Sequence, residues 1–307
     1  MNTWRKGIAC WKCGGTLYLS VPFTWLLSEA RELARQHKGK VIAGGPAVAL
    51  LGAPWADETP RECPFDALAM HNPCATFTTR GCPNRCPFCA VPRIEGDFRE
   101  LPSWKPASMV CDNNLLAASR RHFRRVIKSL AAFPEVDFNQ GLDARRFTRW
   151  HADQIARLTR AKVRFSLDHV GMVGVVDDAV ATARAAGLRN FGVYVLIGFQ
   201  DTVEDALARL EHVRSLGIRP NPMRYQPLDT PARDSYVAPG WTDFELRRMT
   251  RYYSRLRWLE HVRYEDYQPS DQPLFAGLRH REDAPGELAY GGKNSRGNLM
   301  PKVGSQG

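Results

Sequence analysis

Short apolar runs of strand length alternate with amphipathic runs of helical period along most of the chain. The six strand runs are CATFTTR, SMVCDNN, EVDFNQG, KVRFSLD, NFGVYVLIGF and PMRYQPLD. The helical runs between them are ASRRHFRRVIKSL, TRWHADQIARLTRA, VDDAVATARAAG and TVEDALARLEHVRSLG. Repeated strand–helix units predict a parallel sheet, and polar residues at the carboxyl ends of the strands are typical of a barrel. The pattern therefore predicts an α/β fold, a partial (β/α)6 barrel.

The flanking residues divide the rest of the chain. Before the barrel, GTLYLSV, TWLLSEARELARQH and KVIAGGPAV predict a short βαβ segment. After it, TDFELRRMTRYYSRLRWLEHV predicts a helix, and the residues beyond are rich in Gly, Pro and Asn without periodicity. We therefore predict a βαβ segment over residues 1–73, a barrel over 74–240, a helix over 241–267 and a loosely ordered tail over 268–307.

Composition favours a soluble globular protein. Hydrophobic residues make up 44% and charged residues 24% of the 307 positions, and no run approaches the roughly 18 apolar residues of a membrane span. The N-terminus lacks the apolar core of a secretory signal, so we expect a cytoplasmic protein without a membrane partner. In a reducing cytoplasm, clustered thiols among the eight cysteines indicate metal ligands rather than disulfides.

The net charge of +11 is unevenly distributed. Between Arg80 and Arg164 the chain has 17 Lys and Arg against 8 Asp and Glu. The run ASRRHFRRVIKSL places five of these cations on one helical face: Arg120, Arg121, Arg124, Arg125 and Lys128. Such a face suits a phosphate backbone, but it is also what a solvated outer helix of a basic protein presents. Charge is the one feature here that indicates a substrate class, and it favours an anionic substrate or a nucleic acid.

Three cysteines lie within eight residues of the stretch TTRGCPNRCPFCA: Cys82, Cys86 and Cys89. A four-iron cluster has four iron corners, so three thiolates leave one iron without a protein ligand. An open coordination position distinguishes a reactive metal centre from a structural one. The alternative is a zinc site that takes a fourth ligand from Cys74, Cys63 or a histidine, although the spacing of the loop is poor for zinc.

The motif Cys82-x-x-x-Cys86-x-x-Cys89, with Phe88 before the last cysteine and TRGCP in front, resembles that of the radical S-adenosylmethionine superfamily. The resemblance covers roughly Cys74 to Tyr236, because the predicted units match that family's partial barrel. It implies a [4Fe-4S] cluster on the three thiolates and S-adenosylmethionine on the open iron. It also implies reductive cleavage to a 5′-deoxyadenosyl radical and an electron donor such as flavodoxin or ferredoxin.

The resemblance extends to the ends of the later strands. The elements VCDNN, RFSLDH, VLIGF and YQPLDTPARDSY match the family in order, although Cys111 stands where an acid is common and Asp229 replaces a glycine. The implied cofactor contacts are Phe88, Asn113, Asn139, Ser166, Asp168, Gly198 and Gln226.

The candidate catalytic residues are Cys111 and Asp112. Met109 and Cys111 share a face of the strand, so Cys111 points into the barrel if Met109 does. A thiol in that position could donate a hydrogen atom to a substrate radical, or it could be an ordinary buried core residue.

The βαβ segment with GGPAV resembles the end of the cobalamin-binding domain found in one branch of the superfamily. That domain holds cobalamin through a D-x-H-x-x-G loop, which this sequence lacks, and only 73 residues precede the predicted barrel. We therefore expect a shortened remnant, or a chain that lacks its N-terminal part, and we do not predict cobalamin.

Four further cysteines leave two alternatives open: Cys10, Cys13, Cys63 and Cys74. Methylthiotransferases that modify RNA or a ribosomal protein hold a second cluster on three additional N-terminal cysteines, but the spacing here differs and no C-terminal RNA-binding barrel is recognisable. A smaller second metal site remains an alternative. So does a nucleic-acid-binding protein with a structural metal site, in which Tyr252, Tyr253 and Trp258 would stack on bases or else pack in the core.

Overall fold

The computed structural model describes residue 4 and residues 7–60, 66–259 and 261–269. The chain up to Tyr267 forms one compact unit, which contains both of the larger sheets. Positions 270–307 of the predicted tail (268–307) lie outside the described residues, and so does Cys63. In the described part of the chain, no helix is both long and apolar enough to cross a membrane.

A small mixed sheet forms the N-terminal part. Its elements are β1 (Ala9–Cys13), β2 (Thr16–Ser20), α1 (Leu27–Arg35), β3 (Val41–Gly44), α2 (Pro46–Leu51) and α3 (Ala67–His71). The parallel pair β2 and β3 with the intervening α1 confirms the predicted βαβ segment. Strand β1, which pairs antiparallel with β2, was not predicted. Its residues are mostly exposed and lack the apolar alternation by which strands are recognised.

The larger sheet has six parallel strands. The elements of this part are β4 (Ala75–Thr76), β5 (Thr79–Arg80), α4 (Val91–Ile94), β6 (Arg99–Glu100), β7 (Met109–Val110), α5 (Arg120–Leu130), β8 (Val136–Phe138), α6 (Arg149–Ile155), β9 (Ala161–Leu167), α7 (Val173–Ala185), β10 (Asn190–Ile197), α8 (Val203–Ser215) and β11 (Pro220–Arg224). The strand order is β11-β10-β9-β8-β7-β4. The sheet is open, with β4 and β11 at its edges. The predicted α/β fold with six strand–helix units is confirmed.

The two faces of this sheet differ in polarity. In β9, Val163, Phe165 and Leu167 are fully buried in the core that the sheet shares with its helices. The alternate residues on the opposite face are half-buried and polar: Lys162, Arg164 and Ser166. On that inner face the Arg164 guanidinium lies 2.6 Å from a carboxylate oxygen of Asp137 on β8. The period-2 alternation of a strand thus places apolar groups on the face that packs against the helices and polar groups on the opposite, inner face of the sheet.

The predicted C-terminal helix is divided in two. Helix α9 (Asp243–Ser254) begins at a capping box between Thr242 and Glu245, and the short α10 (Leu256–Leu259) follows. Tyr252 and Tyr253 are fully buried in the main core, so core packing and not base stacking accounts for these two rings. Trp258 remains largely exposed.

Candidate functional site

The cysteine loop is closed at its base by a two-stranded antiparallel pair. Strands β5 and β6 pair Thr79 with Glu100 and Arg80 with Arg99, and the three cysteines lie between them in sequence. The carboxylate of Glu95 accepts a hydrogen bond from the Gly81 amide at 2.7 Å and forms an ion pair with Arg80 at 3.0 Å. Glu95 follows the three cysteines, whereas Arg80 and Gly81 precede them. These bonds therefore hold the two ends of the loop together.

Glycine is required at position 81 for two reasons. Gly81 has a φ of +72°, and a Cβ there would lie 2.6 Å from the carbonyl carbon of Asp97 and 2.8 Å from the carbonyl oxygen of Gly96. The closest approach is to backbone atoms, which cannot rotate away as a side chain could. Only a residue without a Cβ fits this combination of backbone angle and close approach.

We expect Gly81→Ala to impair assembly of the loop. The positive φ alone costs an alanine about 1–2 kcal/mol, and the backbone clash adds to it. The control is Gly96→Ala, because Gly96 has the same φ of +72° but open space around its Cβ position. Anaerobic iron and sulfide content after reconstitution should fall more in Gly81→Ala than in Gly96→Ala; equal content would contradict the steric argument.

Asp112 anchors the entrance of the loop to the end of β7. Its buried carboxylate accepts hydrogen bonds from the Thr78 amide at 2.6 Å, the Thr79 amide at 3.1 Å and the Thr78 hydroxyl. Burial raises the pKa of Asp112 to about 6, although these donors act in the opposite direction. The carboxylate of this predicted catalytic residue thus also holds the segment that leads into the cysteine loop.

Two asparagines connect Cys82 to the loop that follows β8. The Asn114 side-chain amide donates to the Cys82 sulfur at 3.4 Å and to an Asp143 carboxylate oxygen at 3.1 Å. The Asn84 backbone amide also donates to the Cys82 sulfur at 3.4 Å, and its side chain donates to Asp143 at 2.8 Å. Burial opposes ionisation of Asp143, but these donors and Arg145 hold its pKa below the ordinary value. The first thiol is therefore surrounded by N–H donors.

The other two thiols are half-buried, and none of the described cysteines is in a disulfide. Burial raises the pKa of both the Cys86 and Cys89 thiols; at Cys86 the positive charge of Arg145 opposes the shift, and the charge of Asp168 adds to it. A metal would have to displace these protons, because the thiolate is the ligand. The amides at Cys82 supply the donors that a ligating sulfur uses, and Arg145 supplies a positive charge near Cys86.

The three thiols are neighbours but do not converge on one point. Among the described residues, no group of three His, Cys, Asp or Glu side chains is arranged to hold a metal ion. Three sulfurs on a single zinc would lie about 4 Å apart, since a Zn–S bond is about 2.3 Å. A four-iron cluster instead spreads its thiolates over separate irons. The three thiols are the type of ligand that such a cluster takes.

The ends of β9 and β10 lie beside the cysteine loop. Asp168 follows β9 and acts electrostatically on Cys86 and Cys89. Burial raises its pKa, although His169, Arg145 and Arg209 act in the opposite direction. After β10, Gly198 turns the chain with a φ of +74°, and the next residue, Phe199, meets Phe88 of the cysteine loop edge to face at 5.5 Å. Predicted contacts from three separate segments thus lie in one region.

A buried arginine joins the carboxyl ends of β9 and β10. Arg209 of α8 is 1% exposed and donates to the carbonyl oxygens of Leu167, Asp168 and Leu196 and to the Asp201 carboxylate. The other Asp201 oxygen accepts from the Gly198 and Phe199 amides, both at 3.0 Å. Burial raises the pKa of Asp201 and lowers that of Arg209, so the hydrogen bonds must offset the cost of burying two charges.

The remaining predicted contacts are placed differently. Ser166 is half-buried on the inner face of β9. Asn139 is half-buried at the end of β8, where its carbonyl accepts from the Tyr194 hydroxyl at 2.8 Å. Asn113 is half-buried beside Asn114, which makes the contact to the cysteine loop. Gln226 is bonded within its own loop, to the Ala232 carbonyl at 2.8 Å and the Asp234 amide at 2.9 Å.

Cys111 packs with Met109 and Ala75 in a small buried cluster at the other edge of the site, as expected for two residues that share a strand face. It is 1% exposed, and burial raises the pKa of its thiol to about 12, with Asp112 and Asp137 adding to the shift. The thiol therefore keeps its proton at neutral pH.

We expect Cys111 to resist alkylation in the native protein. Only the thiolate reacts, and a pKa of about 12 leaves a negligible thiolate fraction up to pH 9. The exposed Cys10 and Cys13 serve as internal controls. Peptide mass spectrometry after iodoacetamide treatment of the native protein at pH 9 should find these two modified and Cys111 unmodified, with all three modified after denaturation. Native labelling of Cys111 at the rate of Cys10 would contradict its burial.

The cysteine pair in β1 does not form a second site with a shared face. Cys10 and Cys13 are three positions apart in a strand, so their side chains leave opposite faces. Cys10 lies with Leu33 and His37 in a groove beside α1. The second metal site left open by the sequence is not supported by the cysteines that the structure describes, Cys63 being outside them.

The residues that sequence analysis did not identify are those that support the thiols: Asn84, Glu95, Asn114, Asp143, Arg145 and Arg209. Two signals could have located some of them. Asn114 lies two positions beyond Asp112 in the polar segment after the second strand, and DARR follows a glycine just after the third. Polar residues directly after parallel strands are candidates for a site at that edge of the sheet.

Comparison with known proteins gives one distant similarity. No protein-family model matches the chain. The ribosomal protein uS12 methylthiotransferase RimO of Synechococcus sp. (strain RCC307) is 24% identical over 230 residues. The match covers 72% of this chain and 43% of the relative, so this chain spans less than half of that protein's length. The chain is thus distantly similar to a methylthiotransferase.

Proposed function

We propose that this protein is a radical S-adenosylmethionine enzyme with a [4Fe-4S] cluster on Cys82, Cys86 and Cys89. The observation that carries the proposal is the position of the loop: three thiols, the first of them with two N–H donors, lie where the loops after β4, β7 and β8 meet. In α/β sheets, ligands bind outside the carboxyl ends of the strands. The distant similarity to a methylthiotransferase supports the same reading.

The residues around the thiols would hold and tune the cluster. The amides of Asn84 and Asn114 donate to Cys82, and the positive charge of Arg145 acts on Cys86, which favours the ligating thiolate over the thiol. Asp143 holds Asn84, Asn114 and Arg145 in place. Because these donors come from loops after different strands, the fold orients the sulfurs before any metal binds.

The proposed site for S-adenosylmethionine is the neighbouring edge formed by β9 and β10. Ser166 and Asp168 offer polar groups there, and the Phe88 and Phe199 rings offer an apolar surface next to Gly198. When bound, the cluster would supply the electron that cleaves the sulfonium of S-adenosylmethionine. The chain's own contribution is to orient that molecule and to keep water away, for which the buried Arg209 clamp fixes the strand ends.

The proposal is tested by the product of S-adenosylmethionine. Anaerobically reconstituted and chemically reduced protein should form 5′-deoxyadenosine and methionine slowly, even without a substrate. Chromatography separates these products from S-adenosylhomocysteine, which an ordinary methyltransferase would release. Formation of S-adenosylhomocysteine alone would replace this proposal with a methyltransferase.

A more specific candidate is methylthiotransfer, favoured by the name of the relative and weakened by its coverage of 43%. A methylthiotransferase would yield a product heavier by one methylthio group, which mass spectrometry of a modified macromolecule would detect. The non-enzymatic alternative, a nucleic-acid-binding protein with a structural metal site, would produce no 5′-deoxyadenosine. The proposed electron donor is a flavodoxin or ferredoxin, and replacing the chemical reductant with either should sustain the reaction.

A further inference from the structure

Helix α5 presents a row of exposed cations. Arg120, Arg121, Arg124 and Lys128 are exposed, and within the part of the chain that the structure describes none of them forms an ion pair with a carboxylate. Some exposed arginines on other helices have such partners, for example Arg35 with Glu32, Arg149 with Asp153 and Arg247 with Asp243. Others, such as Arg31 of α1 and Arg184 of α7, form no such pair among the described residues. What distinguishes α5 is that four such cations share one helix.

The position of these cations opposes helix stability. Arg120 and Arg121 occupy the first turn of α5, after the N-cap Ser119, and no acidic residue is present in that turn. The helix dipole is positive at this end, so each cation there is unfavourable by about 0.3–1 kcal/mol. A charge pattern that folding alone disfavours indicates a role outside folding.

Two of these cations pack on one aromatic ring. The guanidinium groups of Arg120 and Arg124 lie over the Trp150 ring of α6, 5.1 and 5.5 Å from its centroid. Arg120, Arg124 and Lys128 follow one another at i, i+4 spacing, so their charges repeat about every 6 Å along the helix. A planar guanidinium that is already positioned loses less conformational freedom when it binds a phosphate.

The N-terminal end of α5 is attached to the strand that closes the cysteine loop. The Ser119 amide donates to the Glu100 carboxylate at 2.5 Å, and Glu100 belongs to β6. In a strand–helix unit the helix starts at the carboxyl end of its strand, so Arg120 and Arg121 lie at the same edge of the sheet as the thiols. A polyanion on the α5 face would therefore lead toward the candidate site.

We infer that the α5 face, made of Arg120, Arg124 and Lys128 with Trp150 beneath the arginines, is an RNA-binding surface. A row of evenly spaced cations fits a repeating phosphate backbone, and guanidinium planes also stack on unpaired bases. The surface needs neither the cluster nor S-adenosylmethionine, so the inference goes beyond the proposed function and its success or failure is separate from it.

The test is the salt dependence of RNA binding by the full-length protein, measured by fluorescence anisotropy with a labelled 20-nucleotide single-stranded RNA, without reductant or S-adenosylmethionine. The variant is Arg120→Gln/Arg124→Gln/Lys128→Gln. Binding weakens as salt increases, so the slope of log K against log salt is negative. Removing three phosphate contacts should reduce the magnitude of this slope by about 2 and weaken binding at least about tenfold at moderate salt. Circular dichroism and the content of reconstituted cluster show whether the variant is folded.

The matched control is Arg31→Gln/Arg35→Gln/Lys38→Gln, which removes three exposed cations from the region of α1 and changes the net charge equally. The control should keep the slope of the parent protein within about 0.5, because its cations lie on another surface. Equal loss in both variants would show that only net charge matters and would overturn the inference. Failure of the parent protein to bind the RNA would also overturn the inference. If poly-glutamate competed as well as unlabelled RNA does, the inference would be replaced by an acidic protein partner.

Discussion

Replacing Cys82, Cys86 and Cys89 together by alanine should abolish the visible absorbance of the reconstituted protein and all formation of 5′-deoxyadenosine. Each thiolate would hold a separate iron, and the N–H donors at Cys82 and the charge of Arg145 near Cys86 would have no sulfur left to stabilise. The loop itself should remain, because Gly81, Glu95 and Asp112 fix it without the sulfurs. Iron content and absorbance after anaerobic reconstitution are the measurements.

The control for this triple variant removes three thiols elsewhere, as Cys10→Ala/Cys13→Ala/Cys74→Ala. Cys10 and Cys13 are exposed on opposite faces of a strand, and Cys74 precedes β4. This variant should retain the cluster of the parent protein. A full cluster in the loop variant, or its loss in the control variant alone, would contradict the assignment of the ligands.

Replacing Arg209 by methionine should lower the free energy of unfolding by about 3–5 kcal/mol. The substitution leaves the buried Asp201 carboxylate without its cation and the carbonyls of Leu167 and Leu196 without a donor. Breaking a buried ion pair by removing one partner costs about this much, because the remaining charge stays buried. Urea unfolding of the protein without cofactors measures the change.

Two further variants separate the ion pair from a general effect of losing an arginine. Arg149→Met removes an exposed pair with Asp153 and should cost less than about 1 kcal/mol. Adding Asp201→Asn to Arg209→Met should restore part of the loss, because the unpaired charge is then absent. An unfolding free energy of Arg209→Met within about 1 kcal/mol of the parent would contradict the proposed clamp.

Most of the fold could be predicted from the chain because each strand and helix carries its own period. Strand β9 is an example: its apolar residues alternate with Lys162, Arg164 and Ser166, and the structure buries one set against the helices. The short β1 could not be predicted in this way, since its stability depends on pairing with β2 and not on a buried face of its own.

The candidate site was predictable as a region but not in its contacts. The cysteine spacing and the polar strand ends gave its position, and Asp168, Gly198 and Phe88 do lie near the loop. Asp112 and Asn114 bond to residues 29 to 34 positions away in the chain, and no local sequence pattern reports such pairs. Asp112 stays a predicted catalytic residue, and its hydrogen bonds to Thr78 and Thr79 are contacts that the sequence could not show.

The central claim is that S-adenosylmethionine binds the iron that the three cysteines leave open. The most direct test is the electron paramagnetic resonance spectrum of the reduced, reconstituted protein with and without S-adenosylmethionine. Because only three thiols serve the loop, we predict that addition of S-adenosylmethionine changes the signal of the reduced cluster. A spectrum that is unchanged at saturating S-adenosylmethionine would contradict the account, because it would show that no iron is available to bind it.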